Sequence, residues 1–154
     1  MLTEEEKKEI DHHVKMYPQK RAGCIEALKV VQHSRRWISD ESLKDIADHL
    51  DMTTEELDSV ATFYSLVFRK PVGRHVILIC DSITCWIMKY DEIVAHLKKS
   101  LGIGLGETTE DERFTLLPIP CLGNCDHAPT MMVDDDLHQD LTPQKVDEIL
   151  AKYT

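Results

Sequence analysis

Apolar positions in the first 70 residues recur at helical spacing, and after residue 72 the period changes to that of strands. Thr3-Glu4-Glu5-Glu6 has the form of a capping box, in which the N-cap hydroxyl and the Glu carboxylate satisfy each other's orphan backbone donors. It predicts a helix that ends near Tyr17-Pro18. A second helix is expected from about Ala22 to Gln32, with Ile25, Leu28 and Val31 on one face. A third follows Asp40, with Leu43, Ile46, Ala47 and Leu50 at helical spacing. Thr53-Thr54-Glu55-Glu56 repeats the capping signature, and Leu57, Val60, Ala61 and Tyr64 follow at i, i+3, i+4 and i+7. Four short amphipathic helices with short joints predict a small bundle.

Pro71-Val72-Gly73 breaks that pattern. Arg74 to Cys80 is then a β-branched apolar run of strand length, suited to a strand buried on both faces. After a loop, a helix is expected from about Ile87 to Leu101, with Ile93, Val94 and Leu97 inward and Gly102 as its stop. Phe114 to Ile119 reads as a second strand and Met131 to Val133 as a third. Asp134 to Asp136 forms a turn into a short return around Leu137. Thr142-Pro143 supplies an N-cap and a proline at the first helical position, opening a last helix to about Tyr153. The order strand, helix, strand, hairpin, helix is that of a thioredoxin-like α/β layer. The expected organisation is a helical bundle over 1–72 and an α/β domain over 73–154.

On this map Cys80 ends the first strand and Cys85 lies in the loop after it. Cys121 and Cys125 lie in the loop after the second strand. If the two strands are parallel neighbours, both loops leave the same carboxyl edge of the sheet. The pattern C-x4-C, a long gap, C-x3-C admits several chemistries. A rhombic [2Fe-2S] cluster has two terminal thiolates on each iron and matches two loops giving two cysteines apiece. Structural zinc is the second reading, although its pairs are usually set on tighter knuckles. Buried or unrelated thiols are the third. A thioredoxin-type redox couple needs C-x2-C, which is absent. Gly123 and Asn124 fit close backbone approach to sulfur, and equally a tight turn. Asp81 and Asp126 each follow a cysteine, and no Lys or Arg lies within either loop, so a cluster there is expected to have a low reduction potential.

Charge and composition narrow the context. The chain has 154 residues and a formal net charge of -10, which argues against a nucleic-acid partner and for a docking partner that is neutral or basic on its contact face. MLTEEEKKEI is acidic and has no apolar core like that of a signal peptide. The apolar runs VILIC and SLVF fall far below the roughly 18 residues that span a bilayer. A cytosolic setting is expected, where five cysteines are more often ligands or buried residues than disulfides.

The motif Asp111-x-x-Phe114-Thr115, five residues, then Cys121-Leu122-Gly123-x-Cys125-x-x-Ala128-Pro129 resembles the signature of the E-subunit family of bacterial NADH:quinone oxidoreductase, respiratory complex I. IEALKVVQ (25–32), VATFYSLVFRKPVGRHVI (60–77), CDS-x-x-C (80–85), GETTEDERFTLLP (106–118), PTMM (129–132) and LTP (141–143) resemble the same family in the same order. The resemblance implies an N-terminal helical bundle and a thioredoxin-like ferredoxin domain. It implies that Cys80, Cys85, Cys121 and Cys125 ligate one [2Fe-2S] cluster. It further implies a flavoprotein partner that binds NADH and FMN and exchanges electrons with that cluster, and no hydride-transfer site in this chain. The assembled complex would hold the chain at the cytoplasmic membrane without insertion. The corresponding component of a soluble NAD-linked hydrogenase or formate dehydrogenase shares the family and is the alternative. A zinc-stapled interaction module is the alternative from another class.

The chain departs from the family pattern in two places. Trp86-Ile87-Met88-Lys89 replaces a polar residue and a nearby glycine, and Glu112 stands where glycine is common. Trp86 is a candidate for shielding the cluster or packing on the partner, and equally for the core. Among other features, Cys24 is read as a small buried residue and His127 as no ligand. His12, His13 and His96 are read as solvated. Gly102 to Gly106 follows a helix, so it is a connector and not a dinucleotide loop. Asp134 to Asp136 is a turn and not a calcium loop. Pro129 holds the place of a cis proline before a third thioredoxin-like strand. Phe63 and Phe68 lie off the core stripe of their helix and are candidates for an apolar patch under the flavoprotein.

Overall fold

Helical periodicity gives way to strand periodicity near residue 72, and the computed structural model, which describes residues 1–154, divides into two compact units there: Met1–Pro71 and Val72–Thr154. The first unit holds α1 (Glu4–Val14), a single 3-10 turn (Lys20–Gly23), α2 (Cys24–Arg35), α3 (Asp40–His49) and α4 (Thr54–Phe63). Thr3 and Thr53 both form reciprocal capping boxes, with Glu6 and Glu56 as partners, and the Ser39 hydroxyl caps α3. Ile10, Leu28, Val31, Ile38, Ile46 and Leu57 meet in one apolar core, which also takes in Cys24. The second helix starts two residues later than periodicity predicts and runs three further. Lys20 to Gly23 tighten into the 3-10 turn, and the left-handed Arg36 (φ 73°) stops α2.

An ion pair locks the start of the chain to α2. Arg35 donates to both Glu6 oxygens, Nε at 2.8 Å and Nη2 at 2.6 Å. The Ser34 hydroxyl and the Thr3 N–H donate to the same carboxylate. Arg35 also donates to the Ser42 hydroxyl and to the Met1 carbonyl. The Arg35 guanidinium holds the Glu6 carboxyl down at about 2; burial opposes this, and the Ser34 and Thr3 donors assist it.

The second unit is built on a five-stranded sheet ordered β2-β3-β1-β4-β5. Its strands are β1 (His75–Cys80), β2 (Glu107–Thr108), β3 (Phe114–Ile119), β4 (Met131–Val133) and β5 (Asp136–His138). β1 is central and buried along nearly all its length, as its unbroken apolar run requires. It pairs parallel with β3, from His75 opposite Phe114 to Cys80 opposite Ile119. The remaining pairings are antiparallel. Helices α6 (Tyr90–Leu101) and α7 (Pro143–Leu150) supply Ile93, Leu97, Val146 and Ile149 to the core around Ile77, Phe114 and Leu116. This is a thioredoxin-like α/β arrangement preceded by N-terminal helices.

In the second unit three features differ from the periodicity reading. The helix expected from Ile87 to Leu101 starts at Tyr90 as α6, and the expected loop before it contains a short helix, α5 (Ile83–Ile87), so Cys85 lies on a helix and not in a loop. Lys89 adopts φ 73° and breaks the hydrogen-bond ladder between them. The two-residue strand β2 emerges from the expected connector because the Gly106 N–H donates to the Leu116 carbonyl and starts an antiparallel pairing with β3. The last helix ends at Leu150, three residues early.

Glu112 also has a left-handed backbone, φ 54°, at the position where the family pattern favours glycine. A side chain there carries a conformational cost of about 1–2 kcal/mol that glycine avoids. The greater freedom of glycine in the unfolded chain offsets part of that. Glu112→Gly is therefore expected to stabilise the protein by about 0.5–1 kcal/mol, read as a higher denaturant midpoint at unchanged slope.

Candidate metal centre

Parallel pairing of β1 with β3 makes both strands end at one edge of the sheet. There the Asp81 N–H donates to the Ile119 carbonyl at 3.0 Å, and the Cys80 N–H donates to the Thr130 carbonyl at 3.2 Å. The chain therefore leaves the sheet after Cys80, and again after Ile119 on its way to Cys121, from adjacent positions. Cys85 is turned inward by α5, so that Cys80 and Cys85 are 2% and 1% exposed. They share a small apolar cluster with Ala128, against which Tyr90 and Leu122 pack. Cys121 and Cys125 are exposed. The four residues thus form a buried pair and an exposed pair. No three His, Cys, Asp or Glu side chains are gathered closely enough to hold a single metal ion.

Backbone donors meet the sulfurs of Cys80, Cys85 and Cys121. The Gly123 N–H donates to Cys121 Sγ at 3.2 Å. Gly123 has φ 74°, and no atom lies within 4 Å of where its Cβ would sit, so the left-handed turn accounts for the glycine. Burial raises the Cys80 thiol, but the N–H groups of Ser82 and Leu122, with the Cys85 and Thr130 side chains, outweigh it and bring the group down. Cys85 goes the other way: burial pushes it up, and the negative charge favoured at Cys80 adds to that, against donation from the Thr130 N–H. The Thr130 hydroxyl, itself buried, lies 3.9 Å from Cys85 Sγ, near the outer reach of a sulfur hydrogen bond. The surroundings of Cys80 therefore favour thiolate, the form that binds metals, whereas those of Cys85 favour the neutral thiol.

The return segment after β5 supports the exposed pair. Asn124 Nδ2 donates to the Gln139 side chain at 3.3 Å. His127 Nδ1 lies 3.1 Å from Asp140 Oδ2, and the Asp140 N–H donates to the His127 carbonyl. His127 is thus occupied by a carboxylate. The Ala128–Pro129 bond is cis. Thr130 and Tyr90 do not stand out in the sequence. Thr130 is marked there only by following Pro129. Tyr90 gives no sequence signal, because its approach to the cysteines depends on the left-handed Lys89. Burial, then Asp81, Asp91 and Cys80, raise the Tyr90 phenol.

The remaining candidates fall as follows. Trp86 is 57% exposed and is not a core residue; Ile83, Ile87 and Met88 on and beside α5 are exposed with it. Phe63 is 80% exposed and meets Tyr64 edge-on at 5.2 Å, whereas Phe68 is half-buried and its N–H donates to Gln32 Oε1. The apolar patch is therefore Phe63, Tyr64 and Leu66, without Phe68. His96, read as solvated, pairs with Asp147 at 2.7 Å. Ser100 approaches the same ring nitrogen of His96, so these three residues are not arranged as a proton relay.

The model of the thioredoxin-like [2Fe-2S] ferredoxin family matches residues 10–154. The E subunit of NADH-quinone oxidoreductase from Pseudomonas aeruginosa is 48% identical over 153 residues, covering 99% of this chain and 92% of the relative. The E subunit of the same name from Escherichia coli K12 is 50% identical over 152 residues, with the same coverage. Among solved structures, the NAD+-reducing [NiFe]-hydrogenase in its air-oxidized state superposes with a TM-score of 0.74 at 22% identity, over 85% of this chain and 22% of that one, a likeness of fold. No helix is long and apolar enough to cross a membrane. The chain belongs to the thioredoxin-like [2Fe-2S] ferredoxin family, alongside the E subunits of NADH-quinone oxidoreductase.

Proposed function

We propose that Cys80, Cys85, Cys121 and Cys125 hold one [2Fe-2S] cluster, and that the chain passes single electrons between it and FMN on a partner flavoprotein of an NADH:quinone oxidoreductase. The observation that carries this reading is the delivery of two cysteine pairs to one sheet edge by the parallel β1–β3 pairing. The donor chemistry fits: four thiols in two pairs suit a two-iron rhomb, and N–H groups at Cys80, Cys85 and Cys121 offset thiolate charge. When bound, the cluster supplies one-electron redox chemistry. The chain's own residues bind it, partly exclude water and set the surrounding charge. Asp81 and Asp126, both exposed beside cysteines, oppose added negative charge and hold the potential low. Hydride chemistry belongs to the flavoprotein, and the chain is peripheral to the cytoplasmic membrane through the assembled complex.

The test is an optical spectrum of anaerobically purified chain, iron and zinc analysis, and EPR after dithionite. A brown protein with an S = 1/2 signal is expected. Each of Cys80→Ser, Cys85→Ser, Cys121→Ser and Cys125→Ser is expected to lose or change that signal, and Cys24→Ser to keep it. A colourless protein with stoichiometric zinc and no iron overturns the reading.

A further inference from the structure

Of the four cysteines, two are sealed and two are open, and one side chain from outside the cysteine loops contributes to the seal. Tyr90 is the first residue of α6, placed there by the left-handed Lys89 that ends the run of α5. The Lys89 carbonyl accepts from the Glu92 and Ile93 N–H groups and starts the new helix one residue ahead of Tyr90. The half-buried Tyr90 packs against the cluster formed by Cys80, Cys85 and Ala128, with Leu122 as the other partly buried neighbour of that cluster. No hydrogen bond ties its phenol oxygen to sulfur, so what it offers the cysteines is bulk.

We propose that Tyr90 is a positioning residue of the electron-transfer site: its ring keeps water from the Cys80–Cys85 side and thereby lowers the reduction potential of the group held there. Reduction adds negative charge, which water stabilises, so a dry wall disfavours the reduced state. Exposure of an iron–sulfur site is one of the established controls on its potential. The bland alternative is that Tyr90 only fills the margin of the α/β core, since it also packs against that cluster. The two differ in what a substitution moves. Loss of core packing lowers the denaturation midpoint and leaves the potential alone.

The inference rests on the cluster reading, so its test has one arm that needs the cluster and one that does not. In the loaded chain, EPR-monitored titration is expected to give Tyr90→Ala a more positive midpoint and faster loss of visible absorbance in air. Tyr90→Phe, which keeps the ring, is expected to match the unsubstituted chain in both. In the metal-free reduced chain, a neutral thiol reagent is expected to label Cys80 and Cys85 more slowly than Cys121 and Cys125. Tyr90→Ala is expected to close much of that gap, and Tyr90→Phe to preserve it. An unchanged midpoint in Tyr90→Ala, or unchanged labelling of Cys80 and Cys85, overturns the proposal. Failure of the unsubstituted chain to take up iron sinks the cluster reading instead, and the labelling arm still decides whether Tyr90 is the wall.

Discussion

Arg35→Ala is expected to destabilise the N-terminal unit by about 2–4 kcal/mol, somewhat below the range for removing one partner of a fully buried ion pair, because the Arg35 side chain is 28% exposed. The Glu6 side chain is only 6% exposed. Without the guanidinium it would keep its Ser34 and Thr3 donors but lose both charged bonds. Met1 and Ser42 would lose a donor as well. Chemical denaturation followed by helical circular dichroism measures the loss. The pH dependence supplies a separate check. Glu6 is depressed from 4.5 to about 2, so its contribution is fully present above pH 4.5 and is lost as pH falls through about 2. At about 1.4 kcal/mol per pKa unit, that contribution is roughly 3 kcal/mol. In Arg35→Ala the stability curve between pH 4.5 and 2 is expected to flatten, because the carboxyl is no longer held down. A curve as steep as that of the unsubstituted chain would place the acid sensitivity elsewhere. Combining Arg35→Ala with Glu6→Gln is expected to recover part of the stability by removing the unpaired charge.

Gly73→Ala is expected to cost about 2–3 kcal/mol, large for one methyl group. A Cβ at residue 73 would lie 2.9 Å from the Glu112 carbonyl oxygen and 3.0 Å from the carbonyl carbons of Arg113 and Phe114. All three are backbone atoms, so no rotamer change relieves the contact. The Gly73 N–H also donates to the buried Thr115 hydroxyl at 2.6 Å, a bond that any shift of the segment would lengthen. Directly after it, Arg74 and His75 donate to the Glu112 and Arg113 carbonyls and open the β1–β3 pairing. The substitution therefore strikes the register that brings Cys80 level with Ile119. The measured outcome is a lower thermal midpoint. The cluster-binding stoichiometry should hold at temperatures where the variant remains folded. A variant as stable as the parent would mean that the β1 entry yields more easily than its backbone contacts imply.

Much of the architecture was legible in sequence because local signals agreed with the fold. Thr3, Thr53 and Thr142 are capping residues within three positions of their partners, and each caps its helix. The run from His75 to Cys80 is apolar on both faces because β1 is central. The bounds of β3 and β4 match their expected ranges, since alternation or apolarity changes sharply at each end. What was hidden depends on backbone conformations without a glycine to mark them, or on distant partners. Lys89 delays the start of a helix whose side-chain pattern already begins at Ile87. Glu112 bends a loop where only the family pattern points to glycine. A strand as short as Glu107–Thr108 has no period to detect. Trp86 was ambiguous because a large aromatic suits a core or a surface equally in composition, and only the short α5 turns it outward. The cysteine spacing was legible, but the division into a buried and an exposed pair was not, since Cys85 is carried on the short helix α5 and is packed with Ala128 under residues that the spacing does not point to.

The sheet ends in strands of two residues at β2 and three at β5. Edges so short offer few free backbone groups for a neighbouring chain to zip onto. Assembly by strand addition is accordingly disfavoured on both sides. Any partner of this chain would then have to be met by side chains on helices and loops, where contacts are set residue by residue and a wrong neighbour finds no generic backbone rail to follow.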